Sequence, residues 1–190
     1  MNKAICVVGC AVILLLQVPG LTTRSIGTAS EVKHGGKIEV KYDGFTHETV
    51  MSLRKMRISC AGIKDTFKGA CVSMMVNLHC RGTQANYVNY VTLQLVFETK
   101  EWDRGHPTDQ RELSVVANNE TMRLGQMKLI SQSVDDGLTE TLGITFPYDA
   151  FKKIIQAQFV EMQVGQSRFA LREKNLDALR DLSNRVVAAK

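Results

Sequence analysis

Residues 140–182 read ETLGITFPYDAFKKIIQAQFVEMQVGQSRFALREKNLDALRDL, and the periodicity changes three times along them. Thr139 to Phe146 reads as a strand. Pro147 follows, a residue that suits the first turn of a helix because its missing N–H has no intrahelical partner there. Phe151, Ile154 and Ile155 then fall at helical spacing. Phe159 to Val164 returns to strand character, Gly165-Gln166 is a turn, and Phe169 to Leu171 runs back. Leu176, Leu179, Leu182 and Val186 form one stripe, with Lys174, Asp177, Arg180, Asp181 and Arg185 on the opposite face, the pattern of an amphipathic helix. Arg172 is a poor N-cap for it and Asn175 is a substitute.

Upstream, the chain is strand after strand. Ile38, Val40 and Tyr42 alternate with Lys37, Glu39 and Lys41, and Asp43-Gly44 is a turn signal. Val50 to Cys60 is a second strand, whose parity slips at Arg54-Lys55 and so implies a bulge. Val72 to Cys80 and Val91 to Phe97 alternate cleanly. Four strands with short connections favour antiparallel neighbours. A polar loop over 100–110 leads to strands at Leu113–Ala117 and Met122–Ile130, separated by Asn118-Asn119, and Asp135-Asp136-Gly137 is the next turn. The expectation is an α+β fold: a mainly antiparallel sheet with two helices toward the C-terminus and a strand-helix-strand-strand-helix ending. Residues 1–29 are read as signal peptide and junction, and 30–190 as a single domain. The absence of βαβ alternation argues against a doubly wound nucleotide-binding fold.

The tail over 140–182 and the opening KIEVKYDGFTHETVMSL (37–53) together resemble a group of small secreted bacterial proteins. In these a strand, a helix opening at Pro-Tyr, a hairpin and a Leu-rich helix follow in that order. The resemblance implies a bacterial cell-envelope origin; no activity is attached to that group, so it supplies no functional residues.

Lys3, the apolar run Ala4–Leu16 and the break at Pro19-Gly20 are the three parts of a secretory signal. The run is shorter than the about 20 residues a membrane-spanning helix needs, so contact with a membrane is expected only through this transient segment. Small residues suit cleavage before Leu21 or before Ser30; the lipoprotein-like box at Val7–Cys10 precedes most of the run it would have to follow. The expected location is secreted or periplasmic. There, three cysteines remain: Cys60, Cys71 and Cys80. Cys71 and Cys80 flank one candidate strand, roughly 30 Å apart at about 3.3 Å per residue, too far for a disulfide. Cys60 ends one strand and Cys71 opens the next, so a hairpin brings them together. A Cys60–Cys71 bridge is expected, with Cys80 a buried free thiol.

The chain carries a net charge of +5, with bases scattered rather than striped and aromatics at only 6%, so no nucleic-acid partner is expected. No phosphate-binding glycine loop, G-x-S-x-G elbow or H-E-x-x-H helix occurs. His34, His47, His79 and His106 stand apart. A zinc site from Cys60, Cys71, Cys80 and His79 lacks the usual spacing, and neighbours His79 and Cys80 point to opposite faces of a strand. Met51, Met56, Met74 and Met75 are soft enough for copper, yet Met commonly fills core gaps. Glu98, Glu101 and Asp103 flank Trp102 in a way that suits either a sugar groove or an ordinary polar loop. Asp135-Asp136 reads as a turn rather than a calcium loop. Asn119-Glu120-Thr121 is a glycosylation sequon, meaningful only on a eukaryotic secretory route. No catalytic residue or cofactor is assigned. The expectation is a non-catalytic domain binding an unidentified envelope or extracellular partner through its sheet surface; the alternative is a secreted hydrolase with a dispersed active site.

Overall fold

The structure is a computed structural model that describes residues 34–60, 70–100 and 105–187. The signal segment and junction (1–29), the loop carrying Gly62, Lys64, Asp65 and Gly69, and Trp102 with Glu101 and Asp103 lie outside the described residues.

The fold is α+β. Strands β1 (Ile38–Asp43), β2 (Glu48–Ser59), β3 (Cys71–Arg81) and β4 (Val88–Thr99) run as an antiparallel meander, as their alternation implies. The chain then leaves this sheet through a short 3-10 turn at Thr108–Gln110 to form the hairpin β5 (Glu112–Ala117) and β6 (Glu120–Gln126). It returns as β7 (Lys128–Val134) and β8 (Leu138–Phe146), and β8 pairs antiparallel with β4. After helix α1 (Tyr148–Gln156), the hairpin β9 (Val160–Val164) and β10 (Ser167–Leu171) docks on β5, and helix α2 (Glu173–Val187) closes the described chain. The result is a six-stranded sheet, β1-β2-β3-β4-β8-β7, and a four-stranded sheet, β10-β9-β5-β6.

Both helices and the smaller sheet pack on one face of the larger sheet: α2 meets β2, α1 meets β4 and β5, β10 meets β2, and β6 meets β8. The even-numbered residues of β3, Val72 to Cys80, are buried there, and Leu93, Leu95, Leu113, Val115 and Met162 join the same core. The stripe of α2 is buried with them. Asn175 stabilises the start of α2 by accepting from the Arg172 N–H at 3.0 Å, while Arg172 is the residue before the helix. This is the return half of a capping box. Its amide also donates to the Arg57 carbonyl at 3.2 Å, so α2 is tied to β2. The bulge at Arg54-Lys55 is present as a register shift between Leu53 and Met56.

Three local readings are corrected. Met122–Ile130 is not one strand: β6 ends at Gln126, β7 begins at Lys128, and the two belong to different sheets. Gly125 turns the chain with φ of 113°, and Met127 is buried at the corner with its N–H donated to the Arg111 carbonyl. The apolar parity slips by one across this corner, from Met122 and Leu124 to Met127 and Leu129, and such a slip reads equally well as a bulge within one strand. Pro147 lies one residue ahead of α1, extended, with its carbonyl accepting the first helical N–H groups. Phe159 precedes β9 and is exposed, because Asn118 Oδ1 holds the N–H groups of Gln158 and Phe159 away from the ladder.

Candidate functional site

Cys60 and Cys71 are joined as a disulfide where β2 ends and β3 begins, with Cα atoms 3.9 Å apart. Cys80 is a free thiol buried on the core face, and burial, with the Glu48 charge adding to it, pushes its pKa up to about 11. A zinc set from these residues and His79 is not assembled: two are bonded to each other, and Cys80 faces the core while His79 lies on the other face. Met51, Met56 and Met74 are core residues, and Met75 sits on the opposite face of β3. Among the described residues no group of three or more His, Cys, Asp or Glu is close enough to hold a metal ion. Glu98 is ion-paired with Lys55. Asn119 lies in the exposed turn between β5 and β6.

Two polar constellations stand out. The first lies between the sheets. Glu140, on β8, turns its carboxylate inward beside Leu138 and Leu142. Its Oε2 sits 2.6 Å from His106 Nδ1 and 3.2 Å from the His106 N–H, and its Oε1 is 3.5 Å from Arg111 Nη2. His106 Nε2 lies 2.9 Å from Ser167 Oγ, at the start of β10, and Arg111 Nε donates to the His106 carbonyl. Phe97 packs against the imidazole, ring centres 4.4 Å apart. The β9–β10 turn that presents Ser167 is pressed onto the Gln110 carbonyl, where a Cβ on Gly165 would come within 2.5 Å. With φ of 55°, glycine is what this approach requires.

Carboxylate, imidazole and hydroxyl thus stand in the order of a nucleophile-activating triad. Their exposures are 2% for Glu140, 6% for His106 and 0% for Ser167. A nucleophile must meet its substrate, and this hydroxyl meets no solvent. The same contacts form a clasp linking the larger sheet through Glu140 to the smaller one through Ser167.

The second constellation is open. It lies at the end of the larger sheet where the β1–β2 and β3–β4 turns meet. Glu48 Oε2 accepts from Tyr90 Oη at 3.2 Å and lies 3.4 Å from His79 Nδ1, while His79 Nε2 is 3.3 Å from Thr92 Oγ1. The Tyr90 ring stacks on the His79 imidazole at 4.3 Å. Burial raises the Tyr90 pKa, and the Glu48 charge raises it further, so the phenol stays a donor. A depression of about 460 Å³ beside them is lined by Thr46, His47, Glu48, Arg81, Gly82 and Asn89. Asp43 caps the adjoining turn by accepting the Phe45 N–H at 2.9 Å, which lowers its pKa. Phe45 itself is 100% exposed.

Neither constellation was assigned from sequence. His106, Glu140 and Ser167 come from a loop and two strands of different sheets, so no spacing links them. One signal was available: Glu140 shares the inward parity of Leu138, Leu142 and Ile144, and a carboxylate there requires partners. No family model, curated protein or solved structure matches the chain.

Proposed function

We propose that the chain is an exported, non-catalytic domain that binds a cell-envelope or extracellular partner through the open end of its six-stranded sheet. The observation that carries this reading is the convergence at one solvent-facing place of donors, acceptors and a bare aromatic ring. Glu48 and Arg81 line a depression, His79 and Tyr90 meet the Glu48 carboxylate beside it, and Phe45 stands fully exposed at the adjoining turn. Covering a Phe ring contributes about 1.5–3 kcal/mol, stability that the free protein forgoes and a partner gains. Export is supported by the Lys3–Gly20 signal pattern and by the disulfide, which suits an oxidising compartment. Among the described residues no helix is long and apolar enough to cross a membrane.

Co-sedimentation with purified peptidoglycan sacculi and binding to immobilised lipopolysaccharide test the reading. Retention on one of these, weakened about tenfold or more by Phe45→Ala or Arg81→Ala, is the expected result. No retention, or retention indifferent to both substitutions, overturns it. The exported protein should also show a new amino terminus between Leu21 and Ser30; intact Met1 on a cytoplasmic protein would refute export.

The triad order of Glu140, His106 and Ser167 favours a second reading, a serine hydrolase, against which the burial of Ser167 weighs. A fluorophosphonate probe separates the two. Labelling of native protein at Ser167 establishes the hydrolase; native protein left unlabelled rejects it.

A further inference from the structure

Each sheet edge exposes a row of backbone donors and acceptors, and proteins usually guard such rows with charge. Three of the four edges here follow that rule. On β1, Glu39 is ion-paired with Lys37 and Arg54; β6 opens with the Glu120–Lys153 pair; β10 carries Arg168, paired with Glu161. The fourth edge, β7, reads KLISQSV. All seven residues are exposed, among them Leu129 (41%), Ile130 (52%) and Val134 (56%). Its single charge, Lys128, makes no ion pair among the described residues, and neither does Asp135, the residue that follows the strand.

We infer that β7 is a self-association edge, and that its occupant is the β7 strand of a second copy, running antiparallel. The evidence is its self-complementarity. In the register that sets Lys128 of one copy opposite Asp135 of the other, two-fold symmetry repeats the ion pair at both ends. The same register sets Leu129 opposite Val134, twice. Faces also match. Leu129 and Val134 pair on β8 with the buried Leu142 and Leu138, so both lie on the inner side. Lys128 pairs with Gly143, on the outer side, and Asp135, one step beyond Val134, lies there too. Residues seven apart in a regular strand would point to opposite faces. The register shift between Leu129 and Ser131 restores the match. Ile130 is the extra residue at that shift, so counting in from both ends sets Ser131 opposite Ser133 and Gln132 opposite its own symmetry mate at the axis. An edge of eight residues, about 26 Å long, buries less than the roughly 1,200 Å² of a standard interface, so the dimer is a weak, concentration-dependent one.

Sedimentation equilibrium of the purified protein across a wide concentration range tests this. The wild type is expected to approach twice the chain mass and stop there, with dissociation increasing in high salt. Lys128→Glu sets like charges against Asp135 and weakens association about tenfold. The charge exchange Lys128→Glu with Asp135→Lys restores it. Leu129→Lys with Val134→Lys leaves only monomer, with circular dichroism showing that the fold persists. A wild type monomeric throughout, an open-ended polymer, or a charge exchange that fails to restore the single variant would overturn the inference.

Discussion

Replacing Glu140 with Gln changes no heavy-atom count and removes one charge from the clasp between the sheets. The carboxylate faces three N–H donors: His106 Nδ1 at 2.6 Å, the His106 backbone at 3.2 Å and Arg111 Nη2 at 3.5 Å. An amide offers one oxygen and two N–H groups. If the oxygen faces His106, the amide donors face the guanidinium; if the amide is flipped, they face both His106 donors. Either arrangement leaves a donor opposed by a donor in a place where Glu140 was 2% exposed. Breaking a buried charge pair by removing one partner costs about 3–5 kcal/mol. For a chain of this size each kcal/mol shifts the melting temperature by about 2–4 °C, so a fall of roughly 6–20 °C is expected. Circular dichroism melts and urea unfolding measure it, with the exposed Glu112→Gln on β5 as the control that should stay within about 0.5 kcal/mol. Ser167→Ala, which removes one neutral hydrogen bond, should cost less, about 0.5–1.5 kcal/mol. If Glu140→Gln melted within about 1 kcal/mol of wild type, the clasp would not be what holds the sheets in register.

Three further outcomes follow from the structure. Leu179→Ala, at a side chain 2% exposed against the core, should cost about 2–5 kcal/mol in urea unfolding; an unchanged midpoint would remove α2 from the core. Replacing Cys60 and Cys71 together by Ser opens a loop spanning 11 positions and should cost about 3 kcal/mol, read as a lower guanidinium midpoint. Cys80, with a pKa raised from 9.0 to about 11, should resist thiol reagents at pH 8 until the protein unfolds. Since the unfolded thiol ionises first, stability should fall as pH rises from about 9 toward about 11, and Cys80→Ala should flatten that alkaline limb.

Strands β2, β3 and β4 were legible because each buries one face, which writes period-two alternation into Val72–Cys80 and Val91–Phe97. The bulge at Arg54-Lys55 was legible for the same reason: a slipped parity is a backbone event. Helix α2 announced itself by its Leu stripe, and Asn175 by its place in the first turn. The β6–β7 corner also slips parity, from Met122 and Leu124 to Met127 and Leu129 across Gly125, but a slip alone reads as a bulge; that the chain changes sheet there depends on Met127 donating to the Arg111 carbonyl. That contact is long-range in space and leaves no local pattern.

The clasp was hidden for a related reason, yet its anchor was not. His106 and Ser167 are 34 residues before and 27 residues after Glu140, so no motif search joins them. Glu140 alone breaks a rule visible in one strand: a carboxylate on the parity that buries Leu138, Leu142 and Ile144 must be neutralised by donors from elsewhere. Parity therefore carries information that motifs do not. On β8 it locates a buried charge and requires a partner network, which the loop after β4, Arg111 and the β9–β10 turn supply. On β7 it places Lys128 and Asp135 on one face and Leu129 with Val134 on the other, which is what makes that edge complementary to itself. In both strands the informative residues are those whose chemistry disagrees with their position: a charge facing the core on β8, and aliphatic side chains facing water on β7. Each disagreement is resolved by a partner, inside the fold for Glu140 and outside it for β7.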